Sequence, residues 1–365
     1  MYLLPDTRPF PTDPVKNDLL LYAAQIARPT SQAQLKLARD TLRAKIAEMF
    51  AQNHTLGLSV AMSMAADAEQ YTALMDTLGS VLNAADETQV QWFALPVILV
   101  AGAKQPLQLP AHAPTVELAA CLANYPAWRP FSRATWLPQL IRAEDFARIK
   151  AEQWFAAAQN GAQAQAFADS LPTQAALIPS DQSVHALYAL GYGDADLLAA
   201  CGGSLNEAAL PLMQVWQQHF SQDGLTAFAN PLAPDTPLAA LTAASHMRLR
   251  MALEVFAANA VRAVRLQNRP VGVVMAAAAG GRLLFGFGAA DESSIQQQVF
   301  SWPLSPRENI GLVQQDFLNL MADCQVEHIR LLHQALPDEA ALPDYPQAQN
   351  LSGCPPWAET AEHYS

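Results

Sequence analysis

The chain has 365 residues, 51% of them apolar and only 15% charged, with a net charge of −12. That length has room for two or three domains with real cores, and the spread of Leu, Val, Ile and Phe excludes a disordered polymer. The acidic balance argues against bulk nucleic acid and an anionic membrane as partners.

In chain order, "MYLLPDTRPFPTDP" lacks the basic and apolar regions of a signal peptide, and its prolines predict an extended arm. Residues 15–85 read as helices. Ser31 with Gln34 has the spacing of a capping box. Ala38, Leu42, Ile46, Met49 and Phe50 recur at helical spacing, as do Tyr71, Leu74, Met75, Leu78, Val81 and Leu82. These stripes predict helix-on-helix packing.

From Gln91 the texture changes. "VQWFALPVILVAG" is a β-like run in which Pro96 predicts an edge or a bulge. The longest apolar run of the chain, Ala94–Ala103, is too short to span a bilayer. "TWLPQLI" at Thr135–Ile141 is a weaker strand, and Glu144 to Gln165 reads as helix. The cysteines, Cys121, Cys201, Cys324 and Cys354, lie far apart without a CxxC pair. That spacing predicts reduced, mostly buried thiols in a cytoplasm.

Two short echoes follow. "GYGDAD" (Gly191–Asp196) ends an apolar run and is followed by "VWQQHF" (Val215–Phe220) in a helical context, then by the strand-like "GLTAFANPL". "GFGAAD" (Gly286–Asp291) ends the second strand of a hairpin turning at Gly280-Gly281, and is followed by "LVQQDF" (Leu312–Phe317) and the strand-like "VEHIRLLHQAL". The shared order predicts an internal duplication. The expected fold class is α+β: an N-terminal helical region, then two tandem ferredoxin-like (split βαβ) units. The expected boundaries are 1–90 for the arm and helices, 91–232 and 233–336 for the two units, and 337–365 for a Pro-rich acidic tail. Trp357 is the expected anchor if the tail docks.

The glycines in both echoes read first as strand-end or close-approach positions, and Asp past a strand as a turn former. The loops Gly191–Asp196 and Gly286–Asp291 could also frame a ligand cleft. Asp194 and Asp196 form an Asp-x-Asp suited to a divalent metal with a phosphate ligand, but Ala289 breaks the pattern in the second copy.

Several chemistries are excluded. The chain has five lysines and none after Lys150, so no P-loop GxxxxGK[ST] exists and no Schiff-base lysine lies in the last 215 residues. Gly286-x-Gly288 is followed by Asp291 where a dinucleotide fingerprint needs a third glycine. No GxSxG elbow occurs, and "CGGSLNE" at Cys201–Glu207 reads as a loop entering a helix. The histidines show no HxH or HxxxH spacing. No catalytic residue, metal ligand or cofactor is predicted.

One charge feature stands out. Between Arg248 and Arg282 lie six arginines and one acid, Glu254. Most belong to one helix, "SHMRLRMALEVFAANAVRAVRL", whose apolar stripe is Leu249, Leu253, Phe256, Ala260, Val261 and Val264. The arginines read either as partners of structural acids and the helix dipole or as an anion site, because guanidinium forks grip carboxylate and phosphate. Arg248, Arg250, Arg262, Asp194 and Asp196 are the candidate ligand-binding residues.

"VFSWPLSPRENIGLVQQDFLNLMADCQVEHIRLLHQALPDE", "FALPVILVAGA" and the strand pair around Gly280-Gly281 resemble an uncharacterised family of beta-proteobacterial cytoplasmic proteins, a domain of unknown function. The resemblance covers about residues 91–340 and rests chiefly on Trp302-Pro303-Leu304 before a helix and a strand. Family members carry a small cysteine cluster in the tail, whereas this tail has only Cys354. The resemblance implies compartment and class and no catalytic residue. The expected function is a non-catalytic cytosolic binding or regulatory protein, for a small anionic ligand, a protein partner or a second copy of itself. The alternative is an enzyme acting on a small anionic substrate in the cleft between the two α+β units.

Overall fold

The computed structural model describes residues 14–52, 56–82, 90–101, 107–171, 177–178, 184–201, 205–222, 227–278, 281–291, 297–304, 308, 310–336 and 341–348. The chain is mixed α+β, with a helical region at its N-terminal side and two four-stranded sheets. It divides into two compact units: a larger one from Thr12–Ser63 and Thr72–Arg250, and a smaller one built on Met64–Tyr71 and the described residues after Met251.

The helical region contains α1 (Pro14–Ala27), α2 (Gln32–Ala51), α3 (Leu56–Ser63) and α4 (Ala68–Leu82). Helix α2 buries Ala38, Leu42, Ile46, Met49 and Phe50, the stripe its spacing predicts. Ser31 caps it by accepting a hydrogen bond from the Gln34 N–H. The return bond of the expected capping box is displaced by one residue: the Gln34 carboxamide oxygen accepts from the N–H and hydroxyl of Thr30. Lys45 donates to Asp18 at 2.9 Å and ties α2 to α1.

The larger unit continues with β1 (Val90–Ala101), β2 (Leu107–Gln108), α5 (Thr115–Ala123), a 3-10 helix (Pro126–Arg133), β3 (Thr135–Arg142) and short helices α6 (Ala143–Phe146), α7 (Ala151–Ala157) and α8 (Gly161–Ser170). Then come β4 (Leu177–Ile178), β5 (Val184–Asp194), α9 (Asn206–Gln222) and β6 (Ala227–Pro231). The main sheet runs β3-β5-β1-β6, and each neighbouring pair is antiparallel. Phe93, Leu95, Val97, Leu99 and Ala101 alternate along one face of β1 and join Leu118 and Leu122 of α5 and Leu212, Trp216 and Phe220 of α9 in a core. On the other face Trp92 meets Trp154 of α7 and Phe167 of α8 edge-on. Both faces of β1 are covered, which is why its sequence is apolar without alternation.

Pro96 is not on an edge: β1 lies between β5 and β6. The β1–β6 register ends at Val97↔Pro231. Beyond it Leu232 donates to the Pro96 carbonyl, and Asp235 exchanges two bonds with Ala94. The chain opposite Pro96 is irregular, so a residue without an N–H costs no ladder bond.

Helix α10 (Pro237–Arg265) follows, and the smaller unit continues with β7 (Val271–Ala278), β8 (Arg282–Ala289), β9 (Gln298–Pro303), α11 (Ile310–Asp323), β10 (His328–Leu336) and α12 (Tyr345–Ala348). Its sheet runs β10-β7-β8-β9. Strands β7, β8 and β9 form an antiparallel meander, and α11 carries the chain back so that β10 pairs parallel with β7. Gly281 has φ +70°, the left-handed value a tight hairpin needs, while Gly280 lies outside the described residues. Phe317 of α11 packs on Phe285 and Phe287 of β8, and Phe256 of α10 on Phe287 and Phe300.

The segment 341–348 covers the opposite face of this sheet, where Leu342, Tyr345 and Ala348 cluster with Val274, Ala276 and Leu332. Buried Arg330 donates to the Tyr345 carbonyl at 2.7 Å and stands 4.1 Å over the Tyr345 ring. The docking anchor in the described tail is therefore Tyr345. The arm 1–13 and Trp357 lie outside the described residues.

Candidate ligand-binding site

The two echo motifs occupy matching positions. Gly191 is near the end of β5 and Gly286 lies in β8, and each of these strands pairs antiparallel with the first long strand of its sheet. A Cβ on Gly191 would lie 2.5 Å from the Phe93 ring and 2.7 Å from the Thr135 carbonyl. A Cβ on Gly286 would strike the side chains of Gln297 and Leu342. Both glycines are therefore close-approach positions, as a glycine within a strand suggests. Asp291, the acid of the second echo, accepts from Arg269 Nε and Nη2 at 3.1 and 2.9 Å, which makes it an ion-pair partner.

The acids of the first echo are placed differently. Asp194 and Asp196 are exposed and line a cleft of about 370 Å³ in the larger unit. The facing residues belong to the 3-10 helix and include two exposed arginines, Arg129 and Arg133. Local chemistry explains the placement. A 3-10 helix repeats every three residues, so Trp128 and Phe131 share a face. Both are buried, with Phe131 edge-on to Phe93 at 4.6 Å. The Trp136 indole donates to the Phe131 carbonyl at 3.0 Å and fixes the end of the turn. The arginines are left on the solvent side. Across from them, the Leu197 N–H donates to the Asp194 carbonyl and the Ala200 N–H to the Asp196 carbonyl. Gln91 of β1 accepts from the Leu198 N–H at 2.6 Å and holds this turn to the sheet.

The cleft thus brings Asp194 and Asp196 together, with Arg129 and Arg133 in place of the arginines of α10. Arg248 does not line it; its Nη1 meets Glu144 Oε1 at 3.1 Å, and Arg142 Nη2 meets the other oxygen at 3.2 Å. Burial alone would raise the Glu144 carboxyl, but its own backbone N–H and the two guanidiniums outweigh this and hold it below the usual carboxylate range. Arg250 is exposed on α10 and does not line the cleft either. Arg262 is exposed on the part of α10 that belongs to the smaller unit. Nearby, Arg265 donates to the carbonyls of Cys324 and Gln325, just past the end of α11. In sequence, Arg129 and Arg133 were hidden in "YPAWRPFSR"; the available signal was the three-residue spacing of Trp128 and Phe131.

The three thiols among the described residues offer little nucleophilic chemistry. Cys121, Cys201 and Cys324 are free, and burial raises all three, Cys201 to about 11. Among the described residues no group of three or more His, Cys, Asp and Glu is arranged to hold a metal ion. No described helix is long and apolar enough to cross a membrane. Comparison with protein-family models, curated proteins and solved structures yields no match.

Proposed function

We propose that this chain is a non-catalytic cytosolic binding protein whose ligand is a small molecule with an anionic group, held in the cleft of Arg129, Arg133, Asp194 and Asp196. The observation that carries the reading is the convergence of two exposed guanidiniums and two exposed carboxylates on one cleft of about 370 Å³. Guanidinium forks suit a carboxylate or phosphate oxygen pair. The two aspartates disfavour a ligand that is anionic throughout and suit one that also carries an ammonium group. A zwitterion such as a free amino acid meets both demands. The enzyme alternative has less support, because burial raises the three described thiols and Arg248 is engaged with Glu144.

An internal duplication and membership of the uncharacterised family belong to the same proposal. The duplication is supported by the matching strand positions of Gly191 and Gly286, and by Phe220 and Phe317, which end the two QQ-x-F echoes and are both buried. The ferredoxin-like assignment rests on the two four-stranded sheets, each with a helix before its last strand, α9 before β6 and α11 before β10, although β7, β8 and β9 follow one another with no helix between them. The closing strands differ in sense: β6 runs antiparallel to β1, and β10 parallel to β7.

The test is thermal unfolding at low salt against amino acids, simple carboxylates, phosphate and diamines. A ligand at a hundred times its dissociation constant adds about 2.7 kcal/mol. Amino acids should raise the melting midpoint more than carboxylates or diamines, and Arg129→Ala and Asp194→Ala should each abolish the shift. A flat panel overturns the reading and turns attention to a protein partner or self-association.

A further inference from the structure

The charged cleft has a floor as well as a rim. Arg129, Arg133, Asp194 and Asp196 are all exposed and stand at its mouth. Pro130, Ala134 and Gly193 line it half-buried, and Leu197 lines it buried. The lining therefore passes from charged to apolar as exposure falls. Local structure explains this order. In the 3-10 helix, Trp128 and Phe131 are held in the core, which leaves Pro126 with Arg129, and Pro130 with Arg133, along the cleft at a spacing of three. On the other wall the turn after β5 leaves its two acids in solvent, while Leu197 packs into the core beneath them.

Gly193 supplies the second observation. A Cβ there would stand 3.1 Å from Leu197 Cδ2 and 3.6 Å from the Ala134 Cβ, and both of these residues also line the cleft. The position of the missing side chain is thus at the floor. Gly281 is the only glycine with positive φ among the described residues, so the glycine at 193 supplies space and not an unusual backbone. The cleft volume of about 370 Å³ corresponds to roughly a dozen heavy atoms at the density of a liquid. Glycine and alanine occupy about half of that or less. Leucine, methionine and phenylalanine come close to filling it.

We infer that the cleft selects α-amino acids with a bulky apolar side chain, and that Gly193 is the residue that determines this selectivity. The inference rests on the amino-acid reading of the same site. At the rim the guanidiniums take the α-carboxylate and the aspartates take the α-ammonium group. Held at both ends there, the ligand directs its side chain to the floor. An apolar side chain removes water from Pro130, Ala134 and Leu197 and is favoured in proportion to the area buried. A polar side chain of the same shape gives up hydration against these apolar groups.

The experiment is titration calorimetry of the full chain with alanine, leucine, phenylalanine and asparagine, the last of which matches leucine in shape. Leucine and phenylalanine should bind about tenfold more tightly than alanine, and leucine about tenfold more tightly than asparagine. Gly193→Ala should weaken phenylalanine several-fold and leave alanine unchanged. Leucine binding no better than alanine or asparagine overturns the inference while the amino-acid reading stands. Failure of every amino acid to bind overturns both. Equal weakening of phenylalanine and alanine by Gly193→Ala removes that residue from the selectivity. The ranking is read on the unsubstituted protein, whether or not the variant folds.

Discussion

Gly191 and Glu144 illustrate how single positions are constrained by what surrounds them. Gly191 admits no Cβ because an aromatic ring and a backbone carbonyl both occupy its neighbourhood, and β5 cannot move away without losing register with β1 and β3. Gly191→Ala should therefore cost about 1–3 kcal/mol, the usual range for overpacking, measured by urea denaturation. Glu144 bridges Arg142 and Arg248 and links the end of β3 to α10. Its carboxyl is held below the ordinary value when folded, so its contribution is present above the unfolded pKa and is lost as pH falls through the folded one. The melting midpoint of the wild type should exceed that of Glu144→Gln at pH 7. The difference should vanish on acidification below the usual carboxylate range. A difference independent of pH would show that packing, and not the charge, matters there.

Elements in this chain are defined by caps and by what covers them. Helix α2 begins where Ser31 accepts from the Gln34 N–H, and Ser31→Ala should cost about 0.5–2 kcal/mol in thermal unfolding. The C-terminal strap is a different case. The segment 341–348 has one short helix and stays on the sheet through Leu342, Tyr345 and the Arg330 contacts. Arg330→Ala removes both the hydrogen bond and the stacked cation. Amide hydrogen exchange should then rise across 341–348 and β7 while α11 remains protected. Unchanged exchange in the strap would assign its docking to the apolar contacts alone.

The whole molecule carries −12, and this determines what a binding site on it must do. An anionic group approaches against the overall field, so the proposed site would have to retain it through local cations, Arg129 and Arg133. Ligand affinity in the charged cleft should accordingly fall as ionic strength rises from 20 to 300 mM, roughly as the Debye length shortens. Titration calorimetry at several salt concentrations measures it. Duplex DNA should show no retardation at about 0.15 M salt, because local cations on an acidic chain make too small a footprint. Retardation there would mean that the positive charge is gathered on one surface.

Short-range pattern made much of this protein legible from its sequence. The stripe of α2, the unbroken apolar run of β1 and the turn of the β7–β8 hairpin are local patterns, and side chains at period 3.6 or 2 segregate by face wherever the chain folds. Three things depended on partners remote in sequence. Pro96 sits inside a sheet because the chain beyond β6 bulges opposite it. The tail docks through Tyr345 because Arg330 of β10 is buried beneath it. The acids of the first echo face Arg129 and Arg133 while Arg248 is taken by Glu144, about a hundred residues away. Composition and periodicity determine which residues seek burial or charge. Which charge meets which is decided only when the sheet brings distant segments to one place.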